Sequence, residues 1–343
     1  MISRRSLLRG IGQATAVAAL PPFTRSASAQ VAKGIPLTIG IGGYTFAYLP
    51  LLVAKSANIL TEEGLDVSLV NTGSGTNTLA AMLGGSVEVS GLVMSDVILA
   101  AAKGQKIQAF APLMSQYASD AIISVSAAKK VGIEPGMPLK ERMARMKGLV
   151  LAVSGRGSGI DKLWRYLLAL GGLDPDRDVT LTVVKLDQMY SALKSGQIDG
   201  FNTTAPANNR AVEEGLAVWV ARPSQGEVPG LENFLYTALC ARPGYTSDKA
   251  DIAGKLTRAL ARASRMIQDN PQEAGRLMQK EFFAQTDLRL IESAVADQRK
   301  TAAVPPTLSR RQFDQNLEFM ARFGHDVAGV SYQDVIDPRL LGV

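Results

Sequence analysis

Residues 149–170 have the sequence LVLAVSGRGSGIDKLWRYLLAL. An apolar run, Leu149 to Val153, is followed by a loop with three glycines and then by apolar residues spaced three and four apart. The run predicts a buried strand, and the spacing predicts an amphipathic helix from Ser158 to Leu170 with Ser158 as its N-cap. A strand, a glycine-rich turn and a helix in this order indicate an α/β fold.

The same order of elements occurs earlier in the chain. Each copy ends in a related motif, AMLGGSVE at 81–88 and ALKSGQID at 192–199, in which alanine, glycine and an apolar-acidic pair keep one offset. We therefore predict a duplicated βαβαβ unit in two lobes with largely parallel sheets. The other predicted elements of the two copies are strands at Leu37–Ile41, Val67–Val70 and Val179–Val184 and a helix at Ala47–Leu60.

The chain of 343 residues is longer than one hydrophobic core usually needs, which favours two domains. Val125–Pro138 is the predicted connection between the lobes, and Phe234–Ala241 is a predicted strand that runs back to the first lobe. Two crossings of this kind would form a hinge around a cleft. Helical patterns at about 248–268, 272–283 and 309–323 are expected to pack on the first lobe.

The N-terminus has the pattern of an export signal. Arg4-Arg5 precede leucines, a short apolar run ends at Pro21-Pro22, and small residues follow up to Ala29. We predict that residues 1–29 are a cleaved, twin-arginine-like signal peptide, with an ordinary secretory signal as the alternative. Removing them leaves 33 basic and 31 acidic residues, so the basic pI of the whole chain does not indicate nucleic-acid binding. The mature protein is expected to be periplasmic, without stable membrane insertion.

The chain lacks the residues that catalysis or metal binding would need. His325 is the single histidine and Cys240 the single cysteine, so neither a metal cluster of usual spacing nor a Cys/His pair is available. A serine triad would need His325, and the chain has no G-x-S-x-G motif. The glycine-rich loop at 155–159 matches neither the P-loop nor the dinucleotide pattern. We therefore predict a non-enzymatic protein with no metal, cofactor or catalytic residue.

Loops that follow the predicted strands are the candidate ligand site, because ligands of open α/β sheets lie beyond the carboxyl ends of the strands. Backbone N–H groups at the start of the following helices favour an anion or a polar oxygen. The predicted ligand-binding residues are Tyr44, Thr45, Phe46, Gly73, Ser74, Gly75, Thr76, Ser95, Asp96, Arg156, Gly157, Ser158, Gln188, Thr203 and Thr204.

Four segments of the chain resemble the substrate-binding proteins of the nitrate, aliphatic-sulfonate and taurine type, which include binders of thiamine-pyrimidine precursors. They are 38–54, 73–88, 148–175 and 192–200. The resemblance implies a type II periplasmic binding fold, with lobe 1 formed by 36–125 and 236–343 and lobe 2 by 126–235. It also implies a membrane permease and an ATPase of an ABC importer as partners. The enzymatic relatives use histidine and cysteine-rich motifs, which this chain lacks.

The ligand class stays open between two alternatives. Arg156, surrounded by hydroxyl side chains, favours a small organic acid or a sulfonate. Asp96 and Asp161 would favour a neutral or cationic ring if both faced the cleft, and Tyr44 and Phe46 could stack on such a ring. A sensory or scaffold protein that presents an aromatic or pyrimidine-like ligand to a receptor is the alternative to transport.

Overall fold

The computed structural model describes residues 34–304, 308–322, 325–337 and 339. The predicted signal peptide, 1–29, lies outside them. The described strands are β1 Ile35–Ile41, β2 Leu65–Asn71, β3 Val89–Val93, β4 Gln108–Met114, β5 Asp120–Ser124, β6 Val150–Val153, β7 Thr180–Val183, β8 Gly200–Thr203, β9 Ala217–Ala221 and β10 Thr237–Ala241. The described helices are α1 Leu49–Ser56, α2 Ile59–Glu62, α3 Gly75–Leu83, α4 Met94–Ala102, α5 Val125–Val131, α6 Leu139–Ala144, α7 Gly159–Leu170, α8 Met189–Lys194, α9 Ala207–Glu213, α10 Tyr245–Asp248, α11 Ala250–Asp269, α12 Pro271–Phe282, α13 Leu288–Gln298, α14 Arg310–Ala321 and α15 Tyr332–Val335.

The strands form two five-stranded sheets with one common arrangement. The first has the order β2-β1-β3-β10-β4 and the second β7-β6-β8-β5-β9. In both, the first three strands of this order are parallel to one another, and the fourth strand is antiparallel to its neighbours. The sheets are therefore mixed, with one antiparallel strand in each. The antiparallel strands β5 and β10 each follow a crossing between the sheets, so each enters its new sheet at the carboxyl ends of the parallel strands.

The two motifs that suggested duplication form the same helix C-terminus. Gly85 follows α3 and Gly196 follows α8, both with φ in the left-handed region, at +77° and +73°. The carbonyl of Ala81 accepts from Ser86 N, and that of Ala192 accepts from Gln197 N, each at 2.9 Å. Glycine is favoured at such a position because it has no Cβ to clash. The two motifs thus form the same local structure, which leads into β3 in the first copy and into β8 in the second.

The crossing between the sheets lies earlier than the sequence indicated. β5 pairs with β8 and β9 of the second sheet, although residues 120–125 were assigned to lobe 1. Val125–Pro138, the predicted connection, instead begins with helix α5, whose N-cap Ser124 accepts from Ala127 N. Period-two alternation is absent from this short apolar strand, so the pattern alone did not reveal it.

The chain crosses between the sheets at residues 115–119 and 222–236. Gln116 joins the two segments, since its side chain donates to Pro223 O at 2.7 Å and accepts from Asn233 N at 2.7 Å. Asp120, directly after the first crossing, accepts from Ser224 N and Ser224 Oγ at 3.0 and 2.6 Å. Burial raises the pKa of Asp120 to about 6, although the hydrogen bonds from Ser224 act to lower it. We propose that the paired segments act as the hinge.

The C-terminal helices pack mainly against the elements of the first sheet. α11 contacts α1, α2 and β4, and α14 and α15 contact α4. Helix α13 was not predicted, and it contacts both α12 and α9, a helix of the second lobe. The segment between α12 and α13 thereby reaches the space between the lobes.

Candidate functional site

An open cleft of about 1250 Å³ lies between the two sheets. Its walls are formed by the loops after β1, β2, β6, β7 and β8 and by the segment between α12 and α13. The first-lobe wall consists of Gly42, Gly43, Tyr44, Thr45, Asn71, Thr72, Gly73, Ser74, Thr76, Asn77, Phe283 and Thr286. The second-lobe wall consists of Ser154, Gly155, Arg156, Val183, Lys185, Leu186, Asp187, Tyr190, Ser191, Lys194, Thr203, Thr204, Pro206, Ala207 and Arg210.

A smaller cavity of about 50 Å³, the inner pocket, adjoins this cleft and shares six lining residues with it. The inner pocket is lined by Gly42, Thr45, Ala47, Tyr48, Gly75, Val93, Asp96, Ser154, Ser158, Gly159, Ile160, Leu186, Thr203, Thr204 and Tyr236. It lies where α3, α4 and α7 begin, so the starts of three helices converge on it.

Tyr48 holds the first loop of the cleft in place. Its hydroxyl accepts a hydrogen bond from Gly42 N at 3.2 Å, and its ring packs on Gly91 of β3. A Cβ on Gly91 would lie 2.7 Å from that ring, and one on Gly42 would lie 2.9 Å from Gly75 N. Burial raises the pKa of Tyr48 to about 12, so the phenol is neutral at physiological pH. Gly42 and Gly91 are required at these positions, because a Cβ on either would clash with the neighbouring atoms.

The loop after β2 is fixed by its own polar side chains. Ser74 caps α3 by accepting from Asn77 N at 3.1 Å, and the Asn77 side chain donates to Thr72 O at 3.0 Å. Thr72 and Thr78 share a hydrogen bond of 2.6 Å between their hydroxyls. The Ser74 hydroxyl therefore has the capping role as well as a place in the cleft wall.

The loop after β6 is organised by Ser158 and Asp161. Ser158 is the N-cap of α7, as predicted, and accepts from Asp161 N at 3.3 Å. The Asp161 carboxylate accepts from Gly157 N at 2.7 Å and pairs with Arg165 at 3.2 Å. Asp161 lines neither cavity, and its charge is balanced by Arg165. It therefore gives no support to a cationic ligand.

Hydrogen bonds join the lobes at the base of the cleft. Ala47 N donates to Thr204 Oγ1 at 3.1 Å, and Phe46 N donates to Ala205 O at 3.0 Å. Tyr117, in the first crossing, donates to Gly159 O at 3.2 Å. These contacts bring the loops of both lobes together around the inner pocket.

Replacing Thr204 with valine is expected to lower the free energy of unfolding by about 1–3 kcal/mol, because the buried Ala47 N–H loses its acceptor while the side-chain volume is kept. Urea unfolding measures the change. Thr180→Val is the matched control, since Thr180 is exposed in β7, and it should alter stability by less than about 0.5 kcal/mol. Equal stability of the two variants would show that the Thr204 hydrogen bond contributes little.

Asp96 and Lys162 form a buried ion pair across the lobes. Lys162 Nζ, on α7, lies 2.6 Å from Asp96 Oδ1 and 3.3 Å from Ser95 Oγ, on α4. The Lys162 side chain is 1% exposed and that of Asp96 is 9% exposed. Lys162 thus neutralises the one acid that lines the inner pocket. The sequence pattern predicted only that Lys162 lies in an amphipathic helix, and it did not indicate this partner.

The charges of the outer cleft belong to one wall. Arg156, Lys185, Lys194 and Arg210 line the second lobe with Asp187, whereas the first-lobe wall has no charged residue. Arg210 pairs with Glu214 at 2.8 Å, a residue that Lys194 approaches at 4.0 Å, and Arg156 approaches Asp176 at 3.7 Å. Lys185 has no ion pair within the described residues. Positive charge therefore predominates on the second-lobe wall.

Aromatic rings add flat surfaces to the mouth of the cleft. Tyr44, 38% exposed, stacks on Phe282 with ring centroids 5.2 Å apart. Arg210 lies 4.3 Å from the centroid of the Tyr190 ring, and Tyr190 is itself a lining residue. Phe283 contributes from the first-lobe side.

Most of the predicted residues border one of the two cavities, but four do not. Phe46 is fully buried with its ring edge-on to Phe283, and Ser95 is buried beside Lys162. Gly157 N is occupied by Asp161, and Gln188, the last residue of a short 3-10 helix, lines neither cavity. The residues that sequence reasoning missed include Asn71, Thr72, Asn77, Ser154, Lys185, Tyr190, Lys194, Arg210, Phe283 and Thr286. Lys185 could have been found from the sequence, because it comes two residues after the end of the strand β7.

The described residues contain no group of three or more histidine, cysteine or acidic side chains suited to a metal ion. None of the described helices combines the length and apolar character that crossing a bilayer requires.

The family model of the NMT1-like family matches residues 32–280. This chain belongs to the NMT1-like family. The putative binding protein YtlA of Bacillus subtilis is 22% identical over 304 residues, covering 87% of this chain and 86% of YtlA. Other curated relatives are longer, and the chain spans about a third of their length.

Two similar solved structures show the fold of this NMT1-like chain. The periplasmic nitrate-binding protein NrtA of Synechocystis PCC 6803 has a TM-score of 0.69 at 18% identity, covering 88% of this chain and 84% of NrtA. The alkanesulfonate-binding protein SsuA of Xanthomonas axonopodis pv. citri, bound to MOPS, has a TM-score of 0.67 at 17% identity, covering 91% and 96%. The predicted periplasmic binding fold of two α/β lobes and the predicted family resemblance are confirmed.

Proposed function

We propose that this NMT1-like protein is the solute-binding component of an ABC importer and is not an enzyme. The two lobes face one cleft, and the chain resembles proteins named as binders of nitrate and of alkanesulfonates. Its partners would be a membrane permease and an ATPase. A sensor or scaffold of the same fold that presents an aromatic or pyrimidine-like ligand to a receptor is the alternative. Stimulation of ATP hydrolysis by the cognate permease and ATPase would favour transport.

The ligand we propose is a small organic anion, such as a carboxylate or a sulfonate. The observation that carries this proposal is the set of four basic side chains on the second-lobe wall, against one acidic residue among the lining residues. Acids outside the lining, Glu214 and Asp176, offset part of this charge, and Lys185 has no ion pair within the described residues. The cleft volume of about 1250 Å³ leaves room for more than a bare inorganic anion. Tyr44, Tyr190 and Phe283 supply surface for an apolar or flat part of the ligand.

A thermal-shift screen tests this proposal. The panel would contain nitrate, bicarbonate, taurine, alkanesulfonates, aliphatic and aromatic carboxylates, with choline and glycerol as cationic and neutral controls. An organic anion at about 100 times its Kd should stabilise the protein by about 2.7 kcal/mol and raise its Tm. A shift with choline or glycerol alone would contradict an anion site, and no shift with any compound would contradict solute capture.

We further propose that residues 1–29 direct twin-arginine export to the periplasm, where they are removed. Replacing Arg4 and Arg5 with lysines should block export by that route and leave the uncleaved chain in the cytoplasm, whereas an ordinary secretory signal should tolerate the change. Cell fractionation and immunoblotting measure the distribution. Arg9→Lys is the matched control, because it lies outside the arginine pair.

A further inference from the structure

Asp96 is the one charged residue among those that line the inner pocket. It lies in the first turn of α4 and is 7% exposed. Its Oδ1 atom is held by Lys162, but its Oδ2 atom has no hydrogen bond to any described residue. A Cβ built on Gly75, another lining residue, would lie 3.4 Å from Oδ2. One carboxylate oxygen is therefore engaged and the second is left for an occupant of the pocket.

An ionised carboxylate oxygen accepts hydrogen bonds and cannot donate them. A group that meets Oδ2 in this pocket must therefore bring an N–H or an O–H. A second carboxylate or a sulfonate would bring only acceptors and would be repelled by Asp96. The anionic end of a ligand is thus better placed in the outer cleft, against Arg156, Lys185, Lys194 and Arg210.

The charge on the donor group follows from the pairing of Asp96. Lys162 already balances the carboxylate, so a neutral donor leaves the buried site neutral. An ammonium group would add a positive charge that no described lining residue of the inner pocket balances, and burying an unbalanced charge is costly. Asp96 paired with Lys162 therefore favours a hydroxyl, an amide or a ring N–H over an amine.

The size of the inner pocket agrees with a single small group. Its volume is about 50 Å³, compared with about 1250 Å³ for the adjoining cleft. Thr45, Ser154 and Thr203 line both cavities, so a ligand can extend from one to the other.

We propose that the ligand is an organic acid with a neutral hydrogen-bond donor at the end remote from its anionic group, and that Asp96 selects this donor. The donor enters the inner pocket and bonds Asp96 Oδ2, while the anionic group faces the basic second-lobe wall. This inference rests on the proposed capture of an organic anion and adds a specificity-determining residue to it.

Paired probes test the selection by Asp96. Isothermal titration would compare 4-hydroxybenzoate with benzoate, and 4-hydroxybutyrate with butyrate and 4-aminobutyrate. The hydroxylated member of at least one pair should bind at least tenfold more tightly than the unsubstituted acid, and 4-aminobutyrate should bind more weakly than 4-hydroxybutyrate. Equal or tighter binding of the unsubstituted acids would overturn the inference, and tighter binding of 4-aminobutyrate would overturn the neutral donor.

The variant for this test replaces both members of the ion pair, Asp96→Leu with Lys162→Met, so that no unpaired charge is left. It should lose the preference for the hydroxyl while still binding the unsubstituted acid. Asp96→Asn, with a carboxamide in place of the charge, is the second variant in case the first does not fold, and it should reduce the preference. Asp178→Asn is the control, since Asp178 precedes β7 at the end remote from the cleft, and it should keep the preference. A preference unchanged in the folded Asp96 variants would assign Asp96 a purely structural role.

Failure of this inference is distinguishable from failure of the proposed function. If nitrate, taurine or an alkanesulfonate stabilises the protein while none of the paired acids binds, anion capture stands and the role of Asp96 is overturned. If no anion binds at all, both fail together.

Discussion

Lys162→Met is expected to lower the free energy of unfolding by about 3–5 kcal/mol, because it leaves the Asp96 carboxylate buried without its ionic partner. The Lys162 side chain is 1% exposed and that of Asp96 is 9% exposed, so little solvent reaches the lost contact. The variant also removes the bond between α7 and α4, and with it a direct link between the lobes. Urea unfolding at pH 7 measures the loss.

Lys147→Met is the control for this prediction. Lys147 is 73% exposed and lies 3.0 Å from Asp178, so its loss should cost less than about 1 kcal/mol. Combining Lys162→Met with Asp96→Leu should restore part of the stability, since an apolar pair leaves no buried charge. A loss below 1 kcal/mol for Lys162→Met alone would show that the pair is hydrated or contributes little.

Replacing Arg156, Lys185 and Arg210 together with glutamine is expected to weaken binding of an organic anion about 100-fold. Each of these side chains can give the anion a charge-assisted hydrogen bond, and a total loss of about 2.8 kcal/mol corresponds to that factor. Stability should change little, because all three side chains lie on the wall of an open cleft. Isothermal titration of the best anion from the thermal-shift screen, at low and at physiological salt, measures the effect.

A variant with Lys129, Lys130 and Lys140 replaced by glutamine provides the matched control. It changes the net charge equally, but these lysines are exposed and line neither cavity. Its affinity should stay within about twofold of the wild type at physiological salt, where charges beyond about 8 Å are screened. Equal weakening by both triple variants would indicate a long-range charge effect instead of direct contact with the second-lobe wall.

Local patterns sufficed for much of the architecture. The segment that ends in α7 shows a strand, a glycine loop, an N-cap serine and an apolar stripe, and each of these is a property of neighbouring residues. The repeated motif around Gly85 and Gly196 likewise forms through hydrogen bonds that span a few residues. Because ligand sites of such sheets follow strand ends, the loops after β1, β2, β6 and β8 could also be located.

Features that depend on long-range pairing were missed or misplaced. β5 was assigned to the wrong lobe because its place is determined by β8 and β9, far along the chain. Lys162 occurs in an amphipathic helix, and nothing near it in sequence indicates Asp96, 66 residues earlier. Phe46 has an aromatic side chain that could stack on a ring ligand, but the fold buries it against Phe283.

The charge of the cleft could not be derived from loop composition alone. Lys194 and Arg210 lie within or beside helices, and only the packing of α8 and α9 brings them to one wall with Arg156. Asp161 would favour a neutral or cationic ring if it faced the cleft together with Asp96, but its carboxylate instead accepts from Gly157 N and pairs with Arg165.

A crystal structure of the protein with the tightest-binding organic anion from the screen tests the capture of a solute between the lobes most directly. Electron density for the ligand is expected between the loops after β1 and β2 on one side and the basic side chains of Arg156, Lys185 and Arg210 on the other. A ligand found on an outer surface of either lobe, with the cleft filled only by water, would contradict it.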